Sequence, residues 1–277
     1  MKESDFFKDY PVSILRRAYQ RSIGVTIKPS GLIRVSAGKL TPRRSIWRYL
    51  NEVEGWVEKT QDEYKALREK YPKKEYKEGE IFYFLGRPHT LRFQRDESTS
   101  LGQELAVVSD HSRRLHPVRP QPPLLKRSSV IKANSKRPKS FVAGESLVLL
   151  NSKDAKKEVR QFYEKEGRHI LADRVADYAE EMNLKPKKLS FRAQKTRWGS
   201  CGSNGHITLN WKLVVAPLEV VDYVVVHELA HLKYQNHGPK FWQLVEKFSK
   251  SYREDKAWLS RHQFEFDFLN KKSELYP

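Results

Sequence analysis

The sequence predicts an α+β fold built from small sheets and long helices, on three observations. Short runs that alternate apolar with polar residues come in pairs around turns carrying glycine or proline, near 22–37, 81–93 and 141–150. Two longer stretches repeat their apolar residues at helical spacing, and from Pro217 the pattern is helical nearly to the end. No run of apolar residues approaches the length a bilayer requires, the longest being clusters such as Val224-Val225-Val226.

In chain order, Ser22–Ile27 and Ile33–Ala37 form a first hairpin turning at Pro29-Ser30-Gly31. Thr41-Pro42 supplies a helix cap and a first-turn proline. Ile46, Tyr49, Leu50, Val53, Val57, Tyr64 and Leu67 then mark one long helix running to about Tyr71. Ile81–Leu85 and Thr90–Phe93 make a second hairpin near Gly86-Arg87-Pro88, and Phe141–Ala143 with Ser146–Leu150 a third around Gly144. A helix from Ala155 to Met182 ends before Pro186, and strands follow at Lys188–Lys195 and His206–Leu213. No internal repeat is visible in the residues. The expected organisation is an N-terminal hairpin–helix–hairpin portion over 1–97, a linker or insertion over 98–140, and a C-terminal domain over 141–277. The middle stretch holds nine Lys or Arg against Glu104 and Asp110, together with five prolines, a composition that favours mobility over burial.

The net charge is +19, from 53 Lys and Arg against 34 Asp and Glu, which draws nucleotides, nucleic acid or other anions toward the surface. Cys201 is the lone cysteine, so no intrachain disulfide can form and a reducing compartment is expected. Met1–Asp5 carries acids and no apolar core, so neither a signal peptide nor a membrane partner is expected and the location is expected to be cytoplasmic.

The chemistry concentrates in His227-Glu228-Leu229-Ala230-His231. Residues four apart on a helix return to one face after about 400° of rotation. His227 and His231 can therefore offer imidazole nitrogens to one ion at about 2.0–2.1 Å, the distance zinc prefers. Glu228 stands beside the first ligand without binding, placed to accept a proton from water that the metal has made acidic. Leu218, Val221, Val225, Leu229 and Leu232 form an apolar stripe roughly opposite the histidines, with the polar face turned to a cleft. His237, brought back by the break at Gly238-Pro239, is the candidate third ligand, with Glu246 in reserve. Arg197 and Trp198, just before the Gly-rich segment 199–205, are candidate substrate contacts, although Trp198 also suits a core seal. Cys201 reads as a small buried thiol. Arg197, Tyr223 and Tyr234 are candidate oxyanion donors, and His206–Leu213 is the expected sheet edge for an extended substrate.

Arg197-Trp198-Gly199-Ser200-Cys201, Gly205-His206-Ile207-Thr208-Leu209-Asn210-Trp211, Ala216-Pro217, the segment Asp222–His231, and Asn236-His237 through Phe241-Trp242 resemble the YgjP-like metallopeptidase family (domain of unknown function 45). That family is similar to the SprT-like and WLM zincin-type peptidases. The resemblance is tight from about Phe141 onward. It implies a zincin-like core, a small mixed sheet with a metal helix, one zinc ion on His227, His231 and His237, and Glu228 as the catalyst. The basic stretch at 98–140 is bulkier than the resemblance leads one to expect. The expected activity is zinc-dependent hydrolysis, of peptide or protein substrates first. The same site on nucleotide phosphoanhydrides, with Lys195, Arg197, Lys233 and Lys240 as nearby cations, is one alternative; a nucleic-acid-binding zinc module with vestigial catalysis is another.

Overall fold

The computed structural model describes residues 5–95, 140–194, 196–270 and 272–276. The expected mobile stretch at 98–140, apart from Ser140, lies outside these residues, as does Lys195. The chain forms two compact units, Met1–Lys74 with Ala257–Pro277, and Glu75–Lys256. The expected division at 97 follows the charge-rich stretch, whereas the compact units part near 74 and 256.

In the first unit, β1 (Asp5–Phe7) and β2 (Tyr10–Arg17) pair antiparallel, as do β3 (Gly24–Ile27) and β4 (Ile33–Gly38). The two hairpins join through a parallel β2–β4 ladder, giving the order β1-β2-β4-β3. Alternation sends Phe7, Val12, Ile27, Ile33, Val35 and Ala37 to one face, where they pack with Ile46, Leu50 and Val57 of the helices that follow. The single helix expected from Pro42 to Tyr71 is broken: α1 (Arg43–Glu52) and α2 (Glu54–Lys70) meet at Val53, whose φ of −103° and ψ of 15° lie outside the helical region. Asp267 fastens the C-terminal end of this unit, accepting hydrogen bonds from Asn270 Nδ2, Ser273 Oγ and the Glu274 amide. Tyr276 Oη lies 2.8 and 2.9 Å from the carbonyls of Arg68 and Tyr71 at the end of α2.

The second unit opens with the same arrangement. Strands β5 (Ile81–Phe84), β6 (Arg87–Gln94), β7 (Ser140–Ala143) and β8 (Ser146–Leu150) take the order β5-β6-β8-β7, again two antiparallel hairpins joined by a parallel pair. That β6–β8 ladder is why the second hairpin belongs with residues beyond 140 and not with the N-terminal helices. The repeat lies in strand order and not in residue identity, so it escapes inspection of the sequence.

Helix α3 (Ala155–Glu181) follows, capped by Asp154, whose carboxylate accepts from the Lys157 amide. A third sheet, ordered β10-β11-β9, is made of β9 (Lys188–Arg192), β10 (Gly199–Cys201) and β11 (His206–Asn210). β11 runs parallel to β9 and antiparallel to β10. It is thus the central strand, and the edge expected at His206–Leu213 is occupied on both sides. Among the described residues the outer strands of this sheet are β10 and β9.

A 3-10 turn over Trp211–Val215 leads into α4 (Leu218–Ala230), which carries the His-Glu motif. The β5–β6 turn docks on this junction, with the amides of Leu85 and Gly86 donating to the carbonyls of Val214 and Val215. Gly86 has a φ of 73°, and a Cβ there would lie 2.8 Å from Pro217 Cα, so glycine satisfies both the turn and the close approach. Helices α5 (Pro239–Phe248) and α6 (Tyr252–Arg261) follow. None of the described helices is long and apolar enough to cross a membrane.

Candidate metal centre

Helix α4 starts after Pro217, which holds extended backbone at the N-cap, and is buried on nearly every side. Val220, Val221, Tyr223 to Val226, Leu229 and Ala230 are all inside, while Leu218 is 37% exposed. The expected stripe opposite the histidines is therefore an underestimate: this is a core helix, and Leu218 is its most open apolar residue. Its orientation is fixed by a fork between Asp222 and Arg174 of α3, with Nε–Oδ1 at 2.6 Å and Nη2–Oδ2 at 2.7 Å. Tyr178 Oη adds a hydrogen bond to Asp222 Oδ2 at 3.2 Å.

His227 lies in the last turn of α4 and His231 at its C-cap. The chain then folds back, the amides of Lys233 and Tyr234 both donating to the carbonyl of Ala230. This return brings the Tyr234 carbonyl to 3.1 Å from His231 Nδ1, which is therefore the donor nitrogen, leaving Nε2 with its lone pair. Gly238 and Pro239 start α5, and His237 immediately before them turns back toward the α4 histidines. His237 Nε2 lies 3.2 Å from His227 Nε2. One ring nitrogen from each of the three histidines can be chosen so that all lie within 4.8 Å of one another. Phe241, fully buried, forms the floor, its ring centroid 4.6–5.0 Å from all three imidazoles. Trp242 stacks on His237 at 5.7 Å and on Tyr252 at 5.1 Å.

These residues fit a metal ion. Two nitrogens held about 2.05 Å from a tetrahedral ion are separated by roughly 3.3 Å, close to the His227–His237 spacing. Burial, then the neighbouring His231 and His237, push His227 down to about 3, so its ring stays neutral and able to donate a lone pair. Burial lowers His231 in the same sense. Glu246, the reserve ligand, is instead engaged with Arg253 at 2.9 Å.

Glu228 is 6% exposed, and burial pushes its carboxyl up to about 8. Its Oε2 is buried with no hydrogen-bond partner among the described residues. The other side of this carboxyl rests on β10, where a Cβ at Gly199 would fall 2.5 Å from Oε1, 2.6 Å from Cγ and 2.7 Å from Cδ. Gly199 is the residue that reading the sequence missed; nothing in a glycine between Trp198 and Ser200 announces what it faces. Cys201, expected to be buried, is half-buried, with its thiol pushed up by burial and then by the nearby Glu228.

The remaining candidates are arranged as follows. Asn210 holds the segment before β10: its side chain donates to the carbonyl of Arg197 and its amide to that of Trp198. The Arg197 side chain is exposed and Trp198 half-buried. The Tyr223 ring packs edge-on to His227 at 5.8 Å, and burial pushes its phenol up to about 12, so it remains a hydrogen-bond donor. Lys233 lies over the ring of Tyr234 at 5.6 Å.

A family model described as the YgjP-like metallopeptidase domain matches residues 21–136 and 123–262. No curated protein matches the chain. Among solved structures, the chain is similar to the metallopeptidase zymogen abylysin of Pyrococcus abyssi, at 24% identity and a TM-score of 0.31, over 34% of this chain and 95% of that one. It is likewise similar to the metallopeptidase zymogen jannalysin of Methanocaldococcus jannaschii, at 21% identity and a TM-score of 0.31, over 34% of this chain and 96% of that one. With the family match running from the β3–β4 hairpin through the histidine helix, the chain belongs to the YgjP-like metallopeptidase family.

Proposed function

We propose that the chain is a zinc-dependent peptidase with a zincin-like core, in which His227, His231 and His237 hold one metal ion and Glu228 is the general base. The observation that carries this reading is the convergence of three imidazole nitrogens within 4.8 Å beside a buried, unpartnered carboxylate. A purely structural zinc site closes its fourth position and has no use for a base. When bound, zinc supplies Lewis acidity, which acidifies water and polarises a carbonyl oxygen.

The protein's own groups do the rest. The Tyr234 carbonyl fixes the His231 tautomer and leaves Nε2 as the nitrogen that would hold the ion. Phe241 and Trp242 wall the imidazoles on one side, and this apolar packing excludes water from that flank. Glu228 takes a proton from water onto a carboxylate oxygen and returns it to the departing amine nitrogen. Strand β10 offers an extended peptide a sheet edge, with hydrogen bonds between main chains. We take Tyr223, whose ring packs edge-on to His227, as a candidate donor to a developing oxyanion, and Arg197 and Trp198, just before β10, as candidate contacts for a bound peptide.

Family membership favours peptide bonds over phosphoanhydrides, and the test separates the two. The zinc-loaded protein is incubated with an unfolded protein and, separately, with nucleoside triphosphates, with and without chelator. Metal-dependent peptide cleavage is expected. Phosphate release without peptide cleavage contradicts the peptidase reading, and activity that survives chelation contradicts the metal.

A further inference from the structure

The β1–β4 sheet buries one face under α1 and α2 and leaves the other open. Strand register assigns the open face to Phe6, Leu15, Arg17 and Arg34, with Ser13 and Thr26 between them, since Phe6 pairs with Pro11, and Ser13 and Thr26 both pair with Arg34. Phe6 is 56% and Leu15 43% exposed, in a sheet whose other face is buried. From Asp5 to Arg48 ten lysines and arginines stand against two aspartates, so this region carries the positive excess of its unit, while α2 nearly balances its charges. Of the two aspartates, Asp5 is bridged to Arg43, and Asp9 sits in the β1–β2 turn, at the opposite end of β2 from Arg17.

At the Arg17 end the sheet is extended by two connections. The loop after β2 carries Tyr19 and Arg21, and the loop after β4 carries Lys39 and Leu40. They are tied together: the Lys39 amide donates to the Arg17 carbonyl, Gln20 Nε2 donates to the Ser22 and Ser36 carbonyls, and Arg16 donates to the Gly38 carbonyl. These bonds hold the backbone and turn the remaining side chains outward, leaving Tyr19 98% and Leu40 96% exposed. Arg17, Arg21, Arg34 and Lys39 have no carboxylate partner among the described residues. A built loop that presents a bare aromatic ring between unpaired cations matches what binds single strands, a charged track for phosphates with rings on which bases stack. Arginine predominates here, and its planar guanidinium both grips phosphate and stacks on bases, which lysine does not do.

We propose that the open face of the β1–β4 sheet and its Arg17–Lys39 end form a binding surface for single-stranded nucleic acid, with Tyr19 as a stacking platform. The surface uses none of the residues of the histidine site and is independent of the peptidase reading.

The test is fluorescence anisotropy of a labelled single-stranded oligonucleotide of about twenty nucleotides titrated with the full chain over a salt series. Wild type should bind, with affinity falling as salt rises. Arg17→Glu/Arg34→Glu should weaken binding by at least tenfold and flatten the salt dependence by roughly 0.7 in log–log slope for each phosphate that is no longer neutralised. A charge-matched control, Lys153→Glu/Lys156→Glu at the start of α3, should change affinity far less. Tyr19→Ala should cost roughly tenfold and Tyr19→Phe should restore it, because only the ring is needed. The fully exposed position makes both variants foldable. Equal loss in the two charge-reversed pairs would overturn the proposal, as would duplex bound as tightly as single strand. Capture by phosphatidylserine vesicles without oligonucleotide binding would assign the surface to a membrane instead and equally overturn it.

Discussion

Gly199 and Glu228 are in contact across the sheet–helix junction, the glycine of edge strand β10 lying where any side chain would strike the carboxyl group of the proposed base. The absence of a side chain lets β10 lie against Glu228 and bury it, with Oε2 left without a hydrogen-bond partner among the described residues. Glycine at this position is thus tied to where the base stands, not to the bend of the strand.

Gly199→Ala should therefore misplace Glu228 while leaving the histidines alone. The expected result is full zinc content, little change in KM, and a fall in kcat of about 10²-fold, the scale of a displacement near 1 Å. Steady-state kinetics with elemental analysis on the same sample checks this. An unchanged kcat would show that the carboxyl group is not held by β10.

The Arg174–Asp222 fork sets the rotation of α4, and both side chains are nearly buried, at 12% and 14% exposure. Asp222→Ala leaves a guanidinium inside without its partner and should destabilise the protein by about 3–5 kcal/mol. Replacing both groups, as in Arg174→Met/Asp222→Leu, should recover most of that loss, because the cost lies in the unpaired charge. Urea denaturation of Arg174→Met, of Asp222→Leu and of the double supplies the cycle. Additive losses would mean that the fork is not acting as a unit.

Metal removal should be visible in stability. Zinc that binds only the folded chain at about 100 times its Kd adds roughly 2.7 kcal/mol. Wild type should hold one zinc per chain, and a chelator should lower its Tm. His227→Ala/His231→Ala should hold none and show a Tm indifferent to the chelator. Undiminished zinc in that variant would place the ion elsewhere.

Much of this architecture was legible in the residues, because periodicity reports burial directly. The three hairpins and the helix from Ala155 to Glu181 follow from alternation or helical spacing. β1 and β2 went unread, although Tyr10, Val12 and Ile14 alternate, because Pro11 and the Arg16-Arg17 pair interrupt the pattern. The break at Val53 is silent because the apolar spacing continues across it. The Gly-Ser-Cys of β10 looks like a turn, and only pairing with β11 makes it a strand. Strand order is a long-range property, which is why His206–Leu213 looked like the edge. The histidine pair was legible for the opposite reason: a spacing of four on a helix is local geometry. His237 depended on a chain reversal, which Gly238-Pro239 advertised, whereas the contact of Gly199 with Glu228 has no local signature.

Glu228 stands at the centre of the proposed chemistry as a base that does not bind metal. Glu228→Gln keeps the shape of the side chain and removes the carboxylate, so zinc content should equal that of wild type. The direct measurement is the rate at which this zinc-loaded variant cleaves an unfolded protein. A fall of about 10²–10⁴-fold with zinc retained is the predicted result, and cleavage at the wild-type rate would contradict the role of Glu228 as base.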